Sequence, residues 1–457
     1  MKKTESNHNP TLAILPAFQR LSDNTRDNTI VMTSGKGIFV YDDKGNEYLE
    51  ATSSFYGAIL GYGDEELIAA IEEQLHKLPF YPPGVYRGND KAIELADKLV
   101  SMVPLKDARV AFGTSGSEAN EYALKMILFR NIARGETERK KVISRVGCYH
   151  GSTIVAASMT SSEGENREFG LPLPGYLSTI QPDYFNLHHE GEDEEQFVQR
   201  NIETIEQLIL KEGSETVAAF IAEPVSYNAG LTIPSLNYFP ELKSMLQRYK
   251  VELIVDEVVT GFGRTGNMFG SQTFNIEPSC MTFAKGFSSA YIPISAAVIP
   301  GDIYTEIEKE VDSLGFFGHG ATYQGHAVAS AAALKTIDIV EKRELPAHAA
   351  RAGEYLLKKV KQYNSHPLVI NTRGIGLSAA IEFRHDDNSG YPGHYPCKFT
   401  ELIYEKAPEH GLIVRQQGSS ILFTPPLVIT QNEIDEIFRR FDLALHAAEM
   451  AFPDYKM

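Results

Sequence analysis

Between residues 64 and 330 the chain alternates two kinds of segment, and this alternation restricts the fold more than any other feature. Short apolar runs, ARVAF, KVISRV, VAAFIAEPV, VELIVDEVV and SAAVIP, are separated by longer stretches with the periodicity of amphipathic helices. Strands alternating with helices predict an α/β fold whose mostly parallel central sheet is covered by helices on both faces. Ligands of such sheets bind beyond the carboxyl ends of the strands, so the residues that follow each run are where chemistry is expected. At 457 residues the chain is long for one core, which predicts a second, smaller domain.

After residue 330 the pattern changes. HAVASAAALKTIDIVEKR reads as a helix, LVINTRGIGLSAAIEF and GLIVRQQGSSILFTPPLVIT are rich in strand formers, and a closing helix opens with a capping box, Thr430 and Glu433. The early segment TSGKGIFVYDDKGNEYLEA carries a hairpin signal at Asp43, Lys44 and Gly45 and is expected to pack with the C-terminal part. The expected organisation is therefore an N-terminal segment, 1–63, packing with the small domain; a large domain, 64–330; and a small α+β domain, 331–457. The acidic run HHEGEDEEQ reads as a solvated loop.

Charge and composition narrow the partners. The 43 Lys and Arg against 60 Asp and Glu give a formal charge of −17, which disfavours nucleic acid and anionic membranes, so any anion site must be local. The start, MKKTESNHNPTLAIL, has neither the apolar run nor the cleavage site of a signal peptide, and no stretch approaches a membrane span. Cys148, Cys280 and Cys397 are odd in number and lack metal-like spacing, so reduced thiols, no metal and a cytoplasmic location are expected. Two strings mislead. GFGRTG has the glycine spacing of a dinucleotide-binding turn, but NMFGSQTFNIEP follows it with no helical period. LIVDE ends like the acidic strand of a nucleotidase, yet no G-x-x-x-x-G-K-[ST] string accompanies it, which leaves a nucleotide-binding ATPase as a distant alternative.

Three features point to chemistry. In ARVAFGTSGSEANEYALKM a strand-like run ends at Gly113 and a helix follows, so Gly116, Ser117 and their neighbours offer free N–H groups and hydroxyls to an anion such as phosphate, although an ordinary helix cap reads the same way. Asp256 closes VELIV, where a buried carboxylate requires a partner; a structural salt bridge and a ligand's protonated ring nitrogen both satisfy that need. Lys285 stands between an apolar approach and small residues in TFAKGFSSAYIPISAAVI; a partly buried lysine has a lowered pKa and can attack a carbonyl to form a Schiff base. Together, phosphate cradle, carboxylate and lysine are what pyridoxal phosphate requires.

The strings GTSGSEAN, YHGST, AEP, LIVDEVVTGFGRTG, TFAKGFSSAYIPISA, HGATYQGHAVA and GLIVRQQG, in this order across nearly the whole chain, resemble the class III aminotransferases, pyridoxal-phosphate enzymes of fold type I. The resemblance implies that Lys285 carries pyridoxal 5'-phosphate and shuttles the substrate's proton, while Asp256 keeps the ring nitrogen protonated. It implies that Gly116 and Ser117 hold the phosphate, that Tyr149 stacks on the ring beside His150 and contacts substrate, and that Val258 presses on the other face. Glu223 is implied near the active-site arginine among the cofactor residues. Thr322 is implied to reach the phosphate of a neighbouring subunit, which gives a homodimer with active sites at the interface, or a tetramer. Arg415 matches the arginine that grips the substrate carboxylate, and Tyr56, with Phe55, Phe80 and Tyr81, is expected to line an apolar pocket. Many ornithine and γ-aminobutyrate relatives have Gln at the position of Val259 and a Gln-Gly run at Ser226, Tyr227 and Asn228. Those departures favour the ω-amine:pyruvate branch, acting by ping-pong on small-molecule amines and 2-oxo acids. An aminomutase or decarboxylase on the same fold is the competing reading.

Overall fold

The structure is a computed structural model and describes residues 11–161, 166–384 and 397–452. A seven-stranded sheet runs in the order Arg109–Gly113, Ser295–Ile299, Cys280–Phe283, Glu252–Asp256, Val217–Ala222, Lys141–Arg145, Tyr176–Thr179. Ser295–Ile299 is antiparallel to both neighbours, and every other pairing is parallel. Six of these strands are apolar runs visible in the sequence. The seventh, Tyr176–Thr179, is a half-buried edge strand and so lacks a continuous apolar signature.

Side chains leave the strands on alternate faces. Phe220, Leu253 and Val255 pack with Ile202, Ile205 and Leu242 of the helices Glu194–Glu212 and Tyr238–Arg248. Ile221 and Ile254 pack with Ala123, Leu124 and Ile127 of the helix Gly116–Ala133 on the opposite face. A strand covered on both sides has no solvent face, which explains why Val217–Ala222 is buried throughout and reads as an unbroken apolar run.

The C-terminal part holds a second, antiparallel sheet, Val369–Ile375, Ser378–Phe383, Ser420–Phe423, Arg415–Gln417, packed against the helix Leu345–Val360. The last helix, Gln431–Ala451, begins with the expected capping box between Thr430 and Glu433. The hairpin at 43–45 forms as read: Phe39–Asp42 pairs with Glu47–Glu50, and Asp42 Oδ1 accepts from the amides of Lys44 (2.9 Å) and Asn46 (2.8 Å). A third sheet joins this hairpin to the C-terminal part, because Leu412–Ile413 pairs in parallel with Leu49 and Glu50. That pairing brings residues 50–56 beside Arg415.

The acidic run differs from expectation. Asp193 caps the helix Glu194–Glu212 with a reciprocal Gln196 contact, so the run's second half is the first turn of a helix, where acidic side chains oppose the positive end of the dipole. Among the described residues no helix is long and apolar enough to cross a membrane.

Candidate active site

A cavity of about 750 Å³ opens beyond the carboxyl ends of the central strands, lined by residues from the N-terminal segment, the large sheet and the strand of Arg415. One wall is the start of the helix Gly116–Ala133. Ser115 caps it by accepting from the Glu118 amide, and Glu118 in turn accepts from the Thr114 amide (2.7 Å) and hydroxyl. The amides of Gly116 and Ser117 have no acceptor among the described residues, which is the free donor pair a phosphate needs. Ser117 Oγ accepts from the Ser152 amide at 3.1 Å. A Cβ on Gly116 would lie 3.1 Å from Val258, and one on Gly151 would lie 2.3 Å from Ser117 Oγ, so both glycines keep the cradle open.

Asp256 ends its strand 4% exposed. Its Oδ2 accepts from Asn120 Nδ2 and lies 2.8 Å from His150 Nδ1, and Thr282 Oγ1 orients the Asn120 amide at 2.6 Å. Burial alone would keep His150 neutral, but the Cys148 sulfur and the carboxylates of Glu223 and Asp256 raise its pKa well above the ordinary histidine value, so its ring donates to Asp256. Among the described residues Oδ1 accepts only the Val258 amide, at 3.0 Å, and retains capacity for a second N–H from the cavity. Asn120, within GTSGSEAN, escaped the sequence reading, which attended to its glycines and hydroxyls.

Lys285 follows the adjacent strand, Cys280–Phe283, and opens a 3₁₀ turn with φ of 46°. Desolvation pulls its pKa down to about 8 against the pull of Asp256, and Arg415 pushes the same way as burial. Its Nζ lies 5.3 Å from the centre of the Tyr56 ring and makes no ion pair among the described residues. Arg415 stands across the same ring: its Cζ is 5.7 Å from Tyr56 and 4.6 Å from Phe55. No carboxylate among the described residues pairs with Arg415, and its buried Nε has no hydrogen-bond partner. Phe18, with rings of Phe55 and Tyr149 each 6.3 Å away, and Tyr227, 5.1 Å from Tyr56, complete the aromatic wall.

The chain matches the family described as Aminotransferase class-III over residues 21–445. It belongs to the class III aminotransferases. It is 36% identical to a probable γ-aminobutyrate transaminase 2, mitochondrial, from Oryza sativa subsp. indica, over 98% of this chain and 90% of that protein. The ω transaminase from Pseudomonas jessenii, solved in complex with PMP, superposes with a TM-score of 0.92 at 39% identity, covering 96% of this chain and 97% of that one. The PMP-bound form of an aminotransferase from Vibrio fluvialis does so with a TM-score of 0.91 at 33% identity, covering 96% and 97%. The fold is accordingly that of these transaminases.

Of the residues read from sequence, this class III chain gathers Gly116, Ser117, Tyr149, His150, Glu223, Asp256, Val258, Lys285, Arg415 and Tyr56 around one cavity. Thr322 is exposed and outside that lining. Phe80 and Tyr81 do not line it either; Phe80 lies against Tyr323 and His326, beside Thr322. Glu223 lines the same cavity as Arg415, the arginine it is expected near. Its carboxylate takes Arg145 Nη2 at 2.8 Å, with the Tyr149 amide and Ser226 hydroxyl each at 3.1 Å, and among the described residues it makes no ion pair with Arg415. Arg145 is fully buried and needs that anion; the sequence hides it at the end of an apolar strand. The two misleading strings resolve as structure. Glu257, next to Asp256, accepts from Thr260 and the amides of Gly270 (2.9 Å) and Ser271 (2.6 Å), which pins the segment containing GFGRTG, and no helix opens on those glycines.

Proposed function

We propose that this aminotransferase is an ω-transaminase that moves an amino group from an amine or ω-amino acid to a 2-oxo acid, pyruvate being the expected acceptor, in ping-pong order. The observation that carries this reading is Arg415: a guanidinium inside the cavity that holds Lys285, set over the rings of Phe55 and Tyr56 and without a carboxylate partner among the described residues. A planar bidentate donor so placed suits a substrate carboxylate. The apolar ring faces around it suit a carboxylate-free amine in the other half-reaction. The rice relative is named for γ-aminobutyrate, an ω-amino acid, and the Pseudomonas protein is named an ω transaminase.

The donor set fits pyridoxal phosphate. Bound there, the cofactor supplies an aldehyde that takes up the amino group and a protonated ring that draws electrons from the reacting carbon. The Gly116 and Ser117 amides bind the phosphate at the helix N-terminus. Asp256 Oδ1 would face the ring nitrogen and take its N–H, while His150 and Asn120 orient the carboxylate through Oδ2. Tyr149 and Val258 bracket the ring, and Lys285 Nζ takes the proton from the substrate carbon and returns it. Thr322, exposed on its own chain, serves the phosphate of a second copy in a homodimer, or in a tetramer of such dimers. The division at 63/64 and 330/331 and a cytoplasmic location complete the reading.

Two half-reactions test it. Benzylamine alone should convert the bound cofactor once per site, and pyruvate should reverse the change with release of alanine. In Arg415→Leu the KM for pyruvate should rise about ten-fold or more while the KM for benzylamine moves little. Absence of amino transfer to any 2-oxo acid, or equal effects on both substrates, would overturn the assignment.

A further inference from the structure

Four consecutive non-glycine residues, Ser53, Ser54, Phe55 and Tyr56, hold φ angles of 51°, 43°, 58° and 70°. A left-handed turn of this length is disfavoured for every residue with a Cβ, and it persists only where the surroundings impose it. The surroundings here are specific. Ser53 Oγ donates to the Thr424 carbonyl at 2.7 Å and accepts from Arg264 Nη2 at 3.2 Å. Arg264 Nη1 donates to the carbonyls of Leu377 (2.9 Å) and Pro425 (2.6 Å). The side chain is 0% exposed, has no carboxylate partner among the described residues, and meets only neutral oxygens. Burial pulls its pKa down to about 10, which still leaves it charged at neutral pH. A buried charge without a counter-ion is expensive to keep, so its position calls for a reason.

The turn ends in the two rings that face Arg415, and the second of them also faces Lys285. We propose that Arg264 is a positioning residue: it holds Ser53–Tyr56 in the left-handed turn so that Phe55 and Tyr56 present their ring faces to Arg415 and seat it for the substrate carboxylate. Released from Arg264, the turn relaxes toward right-handed backbone and both rings rotate off the guanidinium. Arg415 then loses its cation–π seat and samples more conformations before binding. The inference rests on the reading of Arg415 given above.

Steady-state kinetics of the holoenzyme with pyruvate and benzylamine separate the two. Arg264→Gln should raise the KM for pyruvate on the order of ten-fold and change that for benzylamine less than about two-fold. Adding Ser54→Gly, which makes φ near 43° comfortable without touching Arg264, should restore a good part of the pyruvate KM. A global structural role predicts no such rescue. Ser53→Ala removes one hydroxyl and should show the same asymmetry more weakly; it carries the test if Arg264→Gln does not fold. Equal rises for both substrates, or a double variant no better than Arg264→Gln, overturn the proposal. An Arg415→Leu control with unchanged pyruvate KM sinks the reading of Arg415 itself. A raised KM in that control alongside an unaffected Arg264→Gln sinks only the positioning role of Arg264.

Discussion

The pKa of Lys285 can be read directly in the cofactor-free protein by trace acetylation with acetic anhydride between pH 6 and 11, followed by mass spectrometry of the peptides. Acetylation follows the neutral amine, so each lysine traces its own titration. Lys285, pulled down to about 8 by burial, should be about half neutral at pH 8, whereas an ordinary lysine is ~0.3% neutral there. The neutral amine is thus enriched on the order of a hundred-fold at this one position. Lys77 is the internal control: its exposed ammonium bonds Asp90 at 2.6 Å, which raises its pKa, so its labelling should still climb where that of Lys285 is flat. The height of the Lys285 plateau reports reagent access and its midpoint reports the ionisation, so the two do not confuse each other. Arg415 lowers the midpoint and Asp256 raises it, hence Arg415→Gln should move it up and Asp256→Asn should move it down. A midpoint above about 10, or one that neither variant moves, would refute the claim that this cavity rather than the cofactor frees the amine.

Two other perturbations test the supports of the site. Glu223→Ala leaves the Arg145 guanidinium buried without its anion and should cost about 3–5 kcal/mol in urea unfolding of the apo-protein, with Glu223→Gln costing less. Gly151→Ala forces a Cβ to 2.3 Å from Ser117 Oγ and 2.7 Å from Ala156 Cβ at a φ of 138°, so pyridoxal phosphate should bind about ten-fold more weakly in a fluorescence titration.

What could be read from the sequence was whatever chemistry announces itself within a few residues. Lys285, Asp256 and the Gly116–Ser117 cradle each follow directly on an apolar run, so knowing that the run is a strand of a parallel sheet already puts them at its carboxyl end. Glu223 is legible from its motif, but its ion-pair partner is not, because Arg145 lies 78 residues away and only strand pairing brings the two together. The turn at Ser53–Tyr56 was not legible at all. SSFY contains no glycine, asparagine or proline to signal left-handed backbone, and the groups that impose it are 211 residues away at Arg264 and 371 away at Thr424. The string that carries Arg264 shows why spacing alone misleads. In GFGRTG, Gly263 and Gly266 do adopt left-handed φ angles, 114° and 93°, as a ligand-binding turn would require, yet the backbone they shape encloses a guanidinium. Glycine spacing reports what the backbone must do; what the freed space receives is decided by residues from elsewhere, here three carbonyl and hydroxyl oxygens from three distant segments. A buried carboxylate at a strand end and a buried arginine in a glycine-rich turn cost comparable desolvation. The first could be matched to chemistry from local context, whereas the second acquires its role only when residues 53, 377 and 425 converge on it.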